Sequence, residues 1–586
     1  MKFLGNVLAT IVGLFIFLFL FFFGIIIIAA FFGGEEAGVS VKSNSVIELN
    51  LEKIKYDYAG KYKDPWITLF EDDKNVGLSD VINAIEAAKT DDNIKGISIL
   101  NNDSSLGMAQ YKSLRDELES FKKSGKFVLA YANSYSQKEY YLGSVANSVY
   151  LNPVGEIDFK GLSAQLLFFK DLQEKSGVKM EVIRHGKYKS AVEPFLDNKM
   201  SEANREQITA LLNSVWETAI TDISKSRNIS INQLNTVANG LLARTPEMAK
   251  AQKFIDEIAY EDVYHEAIKK ALHVKKEDNY NKISVLDYTR NFNSTANIIP
   301  SKEQIAVIYA QGEIRNGEGD VNTIGEGSMR RSLQEARKNK NIKAIVLRID
   351  SPGGNALTSD LIWREVSLTK KVKPVVVSMG NYAASGGYYI ACNATKIFAE
   401  KNTITGSIGV FGILPNFSQL AKKIGITAEQ VNTHENSAKY SPFVPLDENF
   451  KAVTLKGVER IYNTFVTHVA EGRKMTFAQV DSIAQGRVWS GAEALKIGLV
   501  DQIGGLNDAI QEAANLAKVE TYSTQNFPEY EKDLNDLFAG FPFGRSKATI
   551  IKEEIGEANY QVLEQIKKNE SRKGIQALIP FEISIQ

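Results

Sequence analysis

The sequence predicts an α/β protein in which one domain occurs twice in tandem, behind an apolar N-terminal helix. Three observations carry that prediction. Similar segments recur at one constant interval, short apolar runs alternate with helical patterns, and no charged residue occurs from Val7 to Phe32. That last run exceeds the roughly 20 residues a membrane-spanning helix needs. It is also longer than the apolar core of a cleaved signal peptide, and "FFGGEEAG" after it is a poor cleavage context. The expected layout is a cytoplasmic end at 1–6, a transmembrane anchor at 7–32 and a linker at 33–44. Lys2 before the span and Glu35 and Glu36 after it place the body outside the cytoplasm by the positive-inside rule.

The interval between copies is 248 residues. "TDDNIKGISIL" resembles "NKNIKAIVLRI", with Lys95 on Lys343. At the same offset Asn133 meets Asn381, Tyr140 and Tyr141 meet Tyr388 and Tyr389, and Pro194 and Phe195 meet Pro442 and Phe443. One offset held across separate patches implies duplication. The copies are expected at 45–290 and 303–525, joined by a polar linker at 291–302, with a helical C-terminal tail over 526–586. In the second copy "QIAVIYAQG", "IKAIVLRID" and "PVVVSMG" read as strands. "SMRRSLQEARKN" and "ALTSDLIWREVSLTKK" read as helices, and the small-residue run after "PVVVSMG" opens another. Strands separated by helices imply parallel pairing through crossovers.

Composition narrows the function. A formal net charge of −1 gives no electrostatic footprint for nucleic acid. The single cysteine, Cys392, precludes an internal disulfide. Neither HExxH nor a clustered His/Asp/Cys pattern is present, so a metal hydrolase has no support and no cofactor or metal is expected.

Two stretches carry chemistry. "RIDSPGGNA" (348–356) follows a strand and precedes a helix, and Gly353 and Gly354 permit a turn that exposes backbone N–H groups. It lacks the residues of a P-loop or a dinucleotide fingerprint. "GNYAASGGYYIA" (380–391) places Ser385 after a strand at the mouth of a helix. A serine nucleophile needs an accessible Oγ, a base, and donors for the oxyanion. The N–H groups of Gly386 and Gly354 can be those donors, since the two loops follow consecutive strands. The base is either a histidine or a neutral lysine. None of His185, His265, His273, His434 and His468 has an evident carboxylate partner motif. A lysine would have to sit in a closed, partly apolar place, because its pKa must fall from about 10.4 to roughly 7–8.

"GKYKSAVEPF", "SPGG", "AASGGYYIA" and "TGSIGVFG" together resemble the long form of the signal peptide peptidase A family, membrane-anchored serine proteases of bacteria. The resemblance spans nearly the whole chain. It implies a core shared with the Clp protease and crotonase superfamily, so two tandem domains of that kind. By motif match it implies Ser385 as nucleophile, Lys189 as general base, Gly354 and Gly386 as oxyanion donors, and Ser407 holding the lysine ammonium. It further implies a tetramer on the periplasmic side of the inner membrane, cutting leftover signal peptides and other unfolded apolar peptides, with no cofactor.

The duplication supports a divided site without the family. At the 248-residue offset Lys189 falls on Ser437, Ser385 on Gln137, and SPGG on "DSSL". Neither copy carries a whole site. Lys439, two positions from Ser437, and Lys187, two from Lys189, stay open as alternative bases. Two rivals also stay open: a crotonase-type enzyme acting on acyl-CoA thioesters, and a membrane-tethered scaffold with a dead site.

Overall fold

Two sheets form the two copies, and a parallel run of six strands has the same order in both. This computed structural model describes residues 2–32, 40–62, 76–102, 104–296, 301–434, 437, 440–530 and 576–578. In the first sheet the order is Glu257–Ile258, Ser148–Leu151, Phe127–Ala132, Ile94–Leu100, Ser45–Leu49, Asn281–Ser284, all parallel. The corresponding run in the second is Gln502–Ile503, Lys396–Ala399, Val375–Ala384, Ile342–Ser351, Gln304–Gln311, Ser523–Phe527. Three central strands start 248 residues apart in the two copies (94 and 342, 127 and 375, 148 and 396). Small contacts repeat as well: Phe169 N–H donates to Pro194 O, and Phe417 N–H to Pro442 O, both at 2.6 Å.

Why these segments form central strands follows from their composition. Val375, Val376, Val377 and Met379 are fully buried. A parallel strand covered by helices on both faces requires such a continuous apolar run. The copies are tied together by a buried ion pair, Asp57 Oδ2 to Arg348 Nε at 2.7 Å. Gln110 joins it by donating to Asp57 Oδ1, and Asn381 donates to Gln110 Oε1.

Helix α1, Lys2–Phe32, carries the segment expected to be an anchor, and Phe15, Phe17 and Phe19 on it are exposed. Among the described side chains, which here are 5–6 and 10–24, no helix is long and apolar enough to cross a membrane.

Two local expectations need correction. The run Tyr382–Ala384 does not open a helix. It continues the preceding strand because it pairs with Ile404–Gly406, and helix begins only at Gly386. Asn526 and Phe527 are not the start of a helical tail. They finish the strand Ser523–Phe527, which lies parallel to Gln304–Gln311, and Glu529–Tyr530 is a further short strand. The rest of the expected tail lies outside the described residues, apart from 576–578, which are strand.

Candidate active site

Seven strands and one helix build the site: β1 (Lys179–His185), β2 (Ile342–Ser351), β3 (Gly353–Asn355), β4 (Val375–Ala384), β5 (Ile404–Gly406), β6 (Val410–Asn416), β7 (Gln576–Leu578) and α2 (Gly386–Ala391). Strands β2, β4 and β5 belong to the second main sheet. The others join a seven-stranded sheet in which β3, β7, β6 and β1 are consecutive.

Ser385 sits at the junction of β4 and α2 with φ 55° and ψ −114°. A positive φ is costly for a residue with a Cβ and marks strain held in place by its surroundings. Here the holders are hydrogen bonds on both sides. Ser385 N–H donates to Gly406 O at 2.8 Å, and Ser385 O accepts from Tyr389 N–H at 2.8 Å. Gly387 lets α2 approach the end of β2: a Cβ there would stand 2.8 Å from Ser351 O.

Lys189 arrives from the first copy. Strand β1 pairs antiparallel with β6 over seven residues, from Lys179 opposite Asn416 to His185 opposite Val410. The loop after β1 then turns toward Ser385. Tyr188 N–H donates to Gln485 O at 2.8 Å, and Gly486, at φ 82°, would press a Cβ to 2.6 Å from Lys189 N. Behind the loop, Gln207 Nε2 donates to Ser190 Oγ and Asn204 Nδ2 to Glu193 Oε2.

The geometry converges on one nitrogen. Lys189 Nζ lies 2.8 Å from Ser385 Oγ, 3.0 Å from Ser407 O and 3.0 Å from Ser407 Oγ. Lys189, Ser385 and Ser407 are each 0% exposed. Burial drives the Lys189 amine well below the ordinary lysine pKa. Among the described residues it forms no ion pair with a carboxylate, so nothing offsets its desolvation.

The structure thus brings together Ser385, Lys189 and Ser407. Gly386 opens α2, and Gly354 lies in β3 opposite Ile314, whose carbonyl would stand 2.1 Å from a Cβ at Gly354. Lys187 is exposed, with its ammonium 5.3 Å from the Tyr188 ring centroid. Ser437 is exposed too, and Lys439 lies outside the described residues. Among the described residues two histidines do have a carboxylate partner: His265 Nε2 is 3.3 Å from Glu261 Oε1, one helical turn away, and His468 Nε2 is 3.2 Å from Asp360 Oδ1, found through space. The His468 ring stacks on Trp363, and among the described residues no histidine hydrogen-bonds Ser385.

Some supporting residues had no sequence signal. Gly486 reads as one glycine among 42, and Gln207 and Asn204 as surface polar residues of a helix. Asp350, next to the glycine turn, accepts from Tyr382 N–H at 2.9 Å and from Asn381 Nδ2 at 3.2 Å. Burial, then the Asp57 charge, pushes its pKa up to about 7.

Fold and site together define a class: a duplicated α/β protein with a strained serine and a buried, unpaired amine in contact. The sequence pattern of peptidase family S49 matches residues 120–275 and 367–520, once in each copy. The chain is 34% identical to Protease 4 of Haemophilus influenzae over 84% of this chain and 82% of that one. It is 37% identical to Protease 4 of Salmonella typhi over 76% and 73%, and 33% identical to the chloroplastic serine protease SPPA of Arabidopsis thaliana over 78% and 68%. Among solved structures, ClpP1 of Listeria monocytogenes aligns at 18% identity and a TM-score of 0.23, covering 35% of this chain and 94% of that one. This protein belongs to peptidase family S49 and is a serine protease.

Proposed function

We propose that the protein is a membrane-anchored endopeptidase that cuts released signal peptides and other unfolded apolar peptides with a Ser385–Lys189 dyad. The single observation that carries this reading is the 2.8 Å approach of the Lys189 amine to the Ser385 hydroxyl in a site that supplies no counter-charge.

A neutral amine has two N–H donors and one lone pair. Lys189 can donate to the carbonyl and hydroxyl oxygens of Ser407 and accept from Ser385 O–H. Ser407 thereby orients the lone pair. In the reaction Ser385 Oγ attacks the scissile carbonyl carbon as its proton passes to Lys189. The oxyanion takes hydrogen bonds from the N–H groups of Gly386 and Gly354. Collapse of the tetrahedral intermediate breaks the C–N bond, and the Lys189 ammonium returns the proton to the leaving amine. Water, deprotonated by the again neutral Lys189, then hydrolyses the acyl-enzyme and frees Ser385.

The anchor at 7–32 would hold this body at the periplasmic face of a bacterial inner membrane, close to membrane-released peptides. Assembly, with a tetramer as the expected form, is supported by an asymmetry in strand pairing. β6 pairs with β1, yet residues 162–168, equivalent to β6 in the first copy, form no strand and alternate between exposed and half-buried. Residues 427–433, equivalent to β1, are exposed throughout. A second chain could pair these two segments as β1 and β6 pair within one.

The reading is tested by hydrolysis of a signal-peptide substrate by Ser385→Ala, Lys189→Ala and the double variant. Each single change should cut kcat by at least ~10³-fold, and the double little more, because the two side chains act as a unit. Wild-type turnover by Ser385→Ala would end the reading.

A further inference from the structure

Asp350 lies near the end of β2, just before the turn that carries Gly354, and the chemistry above leaves it unused. The register of β2 against β4 shows what it does. Ile349 is opposite Met379, and Ser351 is opposite Ala383. One residue of β2, Asp350, therefore faces three of β4: Gly380, Asn381 and Tyr382. Such a bulge bends its strand and re-aims the side chains beyond it. Ser385 follows three residues after Tyr382. The Asp350 carboxylate fills the bulge. Its Oδ1 accepts from Tyr382 N–H at 2.9 Å, and its Oδ2 from Asn381 Nδ2 at 3.2 Å. Gly380 leaves room for it, since a Cβ there would stand 3.0 Å from Asp350 Cγ. The neighbours of the bulge are held as well. Arg348 Nη1 donates to Met379 O at 2.8 Å, Thr403 Oγ1 to Gly380 O and Thr405 Oγ1 to Ala383 O, both at 2.7 Å. From the first copy, the N–H groups of Ala109 and Gln110 donate to Asn381 Oδ1 at 3.1 and 3.3 Å.

One carboxylate thus joins the two segments that lead to the oxyanion donors, Gly354 after β2 and Gly386 after β4. At the 248-residue offset Asp350 falls on Asn102, an uncharged residue, whose Oδ1 turns away to accept from Leu51 N–H at 2.8 Å. The charged brace exists only in the copy that carries the nucleophile. We infer that Asp350 is a positioning residue for the reaction: its carboxylate locks the bulge in β4 and so sets Ser385 and the Gly386 N–H in register with the Gly354 N–H. The inference rests on the Ser385–Lys189 reading and deepens it, since it adds what aligns the oxyanion donors. Keeping this charge is costly to the fold. Burial and the Asp57 carboxylate push the Asp350 pKa up to about 7 against the pull of Arg348, and Lys55 and Lys138 line the cavity beside it. The folded chain therefore binds this proton more tightly than the unfolded chain, and above that pH the ionised group lowers stability. A residue retained for stability alone would be better neutral.

The test uses the full chain at about pH 8, where Asp350 is ionised. It reads kcat and KM on a signal-peptide substrate, the melting temperature, and the count of active serines by fluorophosphonate labelling. Asp350→Asn keeps the shape and one acceptor for Tyr382 N–H, but sets an amide N–H₂ against Asn381 Nδ2. It should lower kcat ~10-fold with KM within ~2-fold, because small misplacements of reacting groups are costly. Its melting temperature should be no lower than that of the wild type, since the unfavourable charge is gone. Asp350→Ala loses both acceptors and should lower kcat ~10²-fold. If Asp350→Ala fails to fold, the near-isosteric Asp350→Asn decides. Wild-type kcat in Asp350→Asn and in a folded Asp350→Ala would overturn the inference while leaving the dyad intact. So would a loss of kcat in Asp350→Asn that only matches a fall in melting temperature or in labelled serine, because a merely structural role gives that pairing. Wild-type labelling that does not depend on Ser385 would remove the dyad and this inference together.

Discussion

The two copies share one sheet order but treat the same position in opposite ways. At the end of β4, Ser385 adopts φ 55° and points its hydroxyl at a buried amine. At the equivalent place in the first copy, Gln137 opens a helix that Ser136 caps by accepting from Glu139 N–H, and Gln137 has no positive φ. Its side chain plugs the corresponding space. Gln137 Oε1 accepts from Lys160 N–H and Gly161 N–H, and Nε2 donates to Gly161 O. Gly161 is the equivalent of Gly409, which lies beside Ser385. The first copy is therefore relaxed and satisfied where the second is strained and desolvated. Backbone strain and an uncompensated amine destabilise a fold, and this protein keeps them in only one of two equivalent places.

That contrast can be broken most severely at Lys189. Lys189→Met should abolish peptidase activity, by ~10³-fold or more, and should also raise the melting temperature by at least ~2 °C, since an apolar side chain of similar length removes the desolvation cost. The folded chain holds the Lys189 proton less tightly than the unfolded chain. Stability of the wild type should therefore rise with pH between the depressed folded pKa and the ordinary lysine value, and this slope should be missing in Lys189→Met melts. A fall in melting temperature would contradict the account.

Gly486→Ala comes next. A methyl group 2.6 Å from Lys189 N, at a φ of 82°, must displace the base. Activity should drop ~10²-fold, because small misplacements of a reacting group are costly, and stability should fall by about 1–3 kcal/mol. Ser407→Ala leaves the carbonyl of Ser407 in place and removes one acceptor, so kcat should fall ~10-fold with KM little changed. The smallest effect belongs to the relaxed copy. Gln137→Ala strips partners from Gly161 and Lys160, and should cost about 1–2 kcal/mol of stability with kcat unaltered.

The sequence made much of this legible because its signals were local or repeated. The 248-residue offset exposed the duplication, and the motifs around Ser385 and Lys189 marked both partners. What it hid was non-local. Nothing in "KMEVIRH" says that it pairs with "VFGILPN", more than 200 residues later, yet that pairing is what carries Lys189 to the other copy. The Asp57–Arg348 ion pair joins the copies over a similar separation. Gly486 matters only because another loop passes within contact distance. Tyr382–Ala384 misled because small residues fit a helix start and a strand equally, and only the pairing with β5 decides between them.

The central claim is that a buried, neutral Lys189 takes the proton of Ser385. The most direct measurement is the rate of Ser385 modification by a fluorophosphonate as a function of pH, in the wild type and in Lys189→Ala. The account predicts a wild-type rate that climbs with pH to a plateau, with a midpoint well below 10.5, and a Lys189→Ala rate lower by orders of magnitude without that transition. Equal rates with the same pH profile in the two proteins would contradict it.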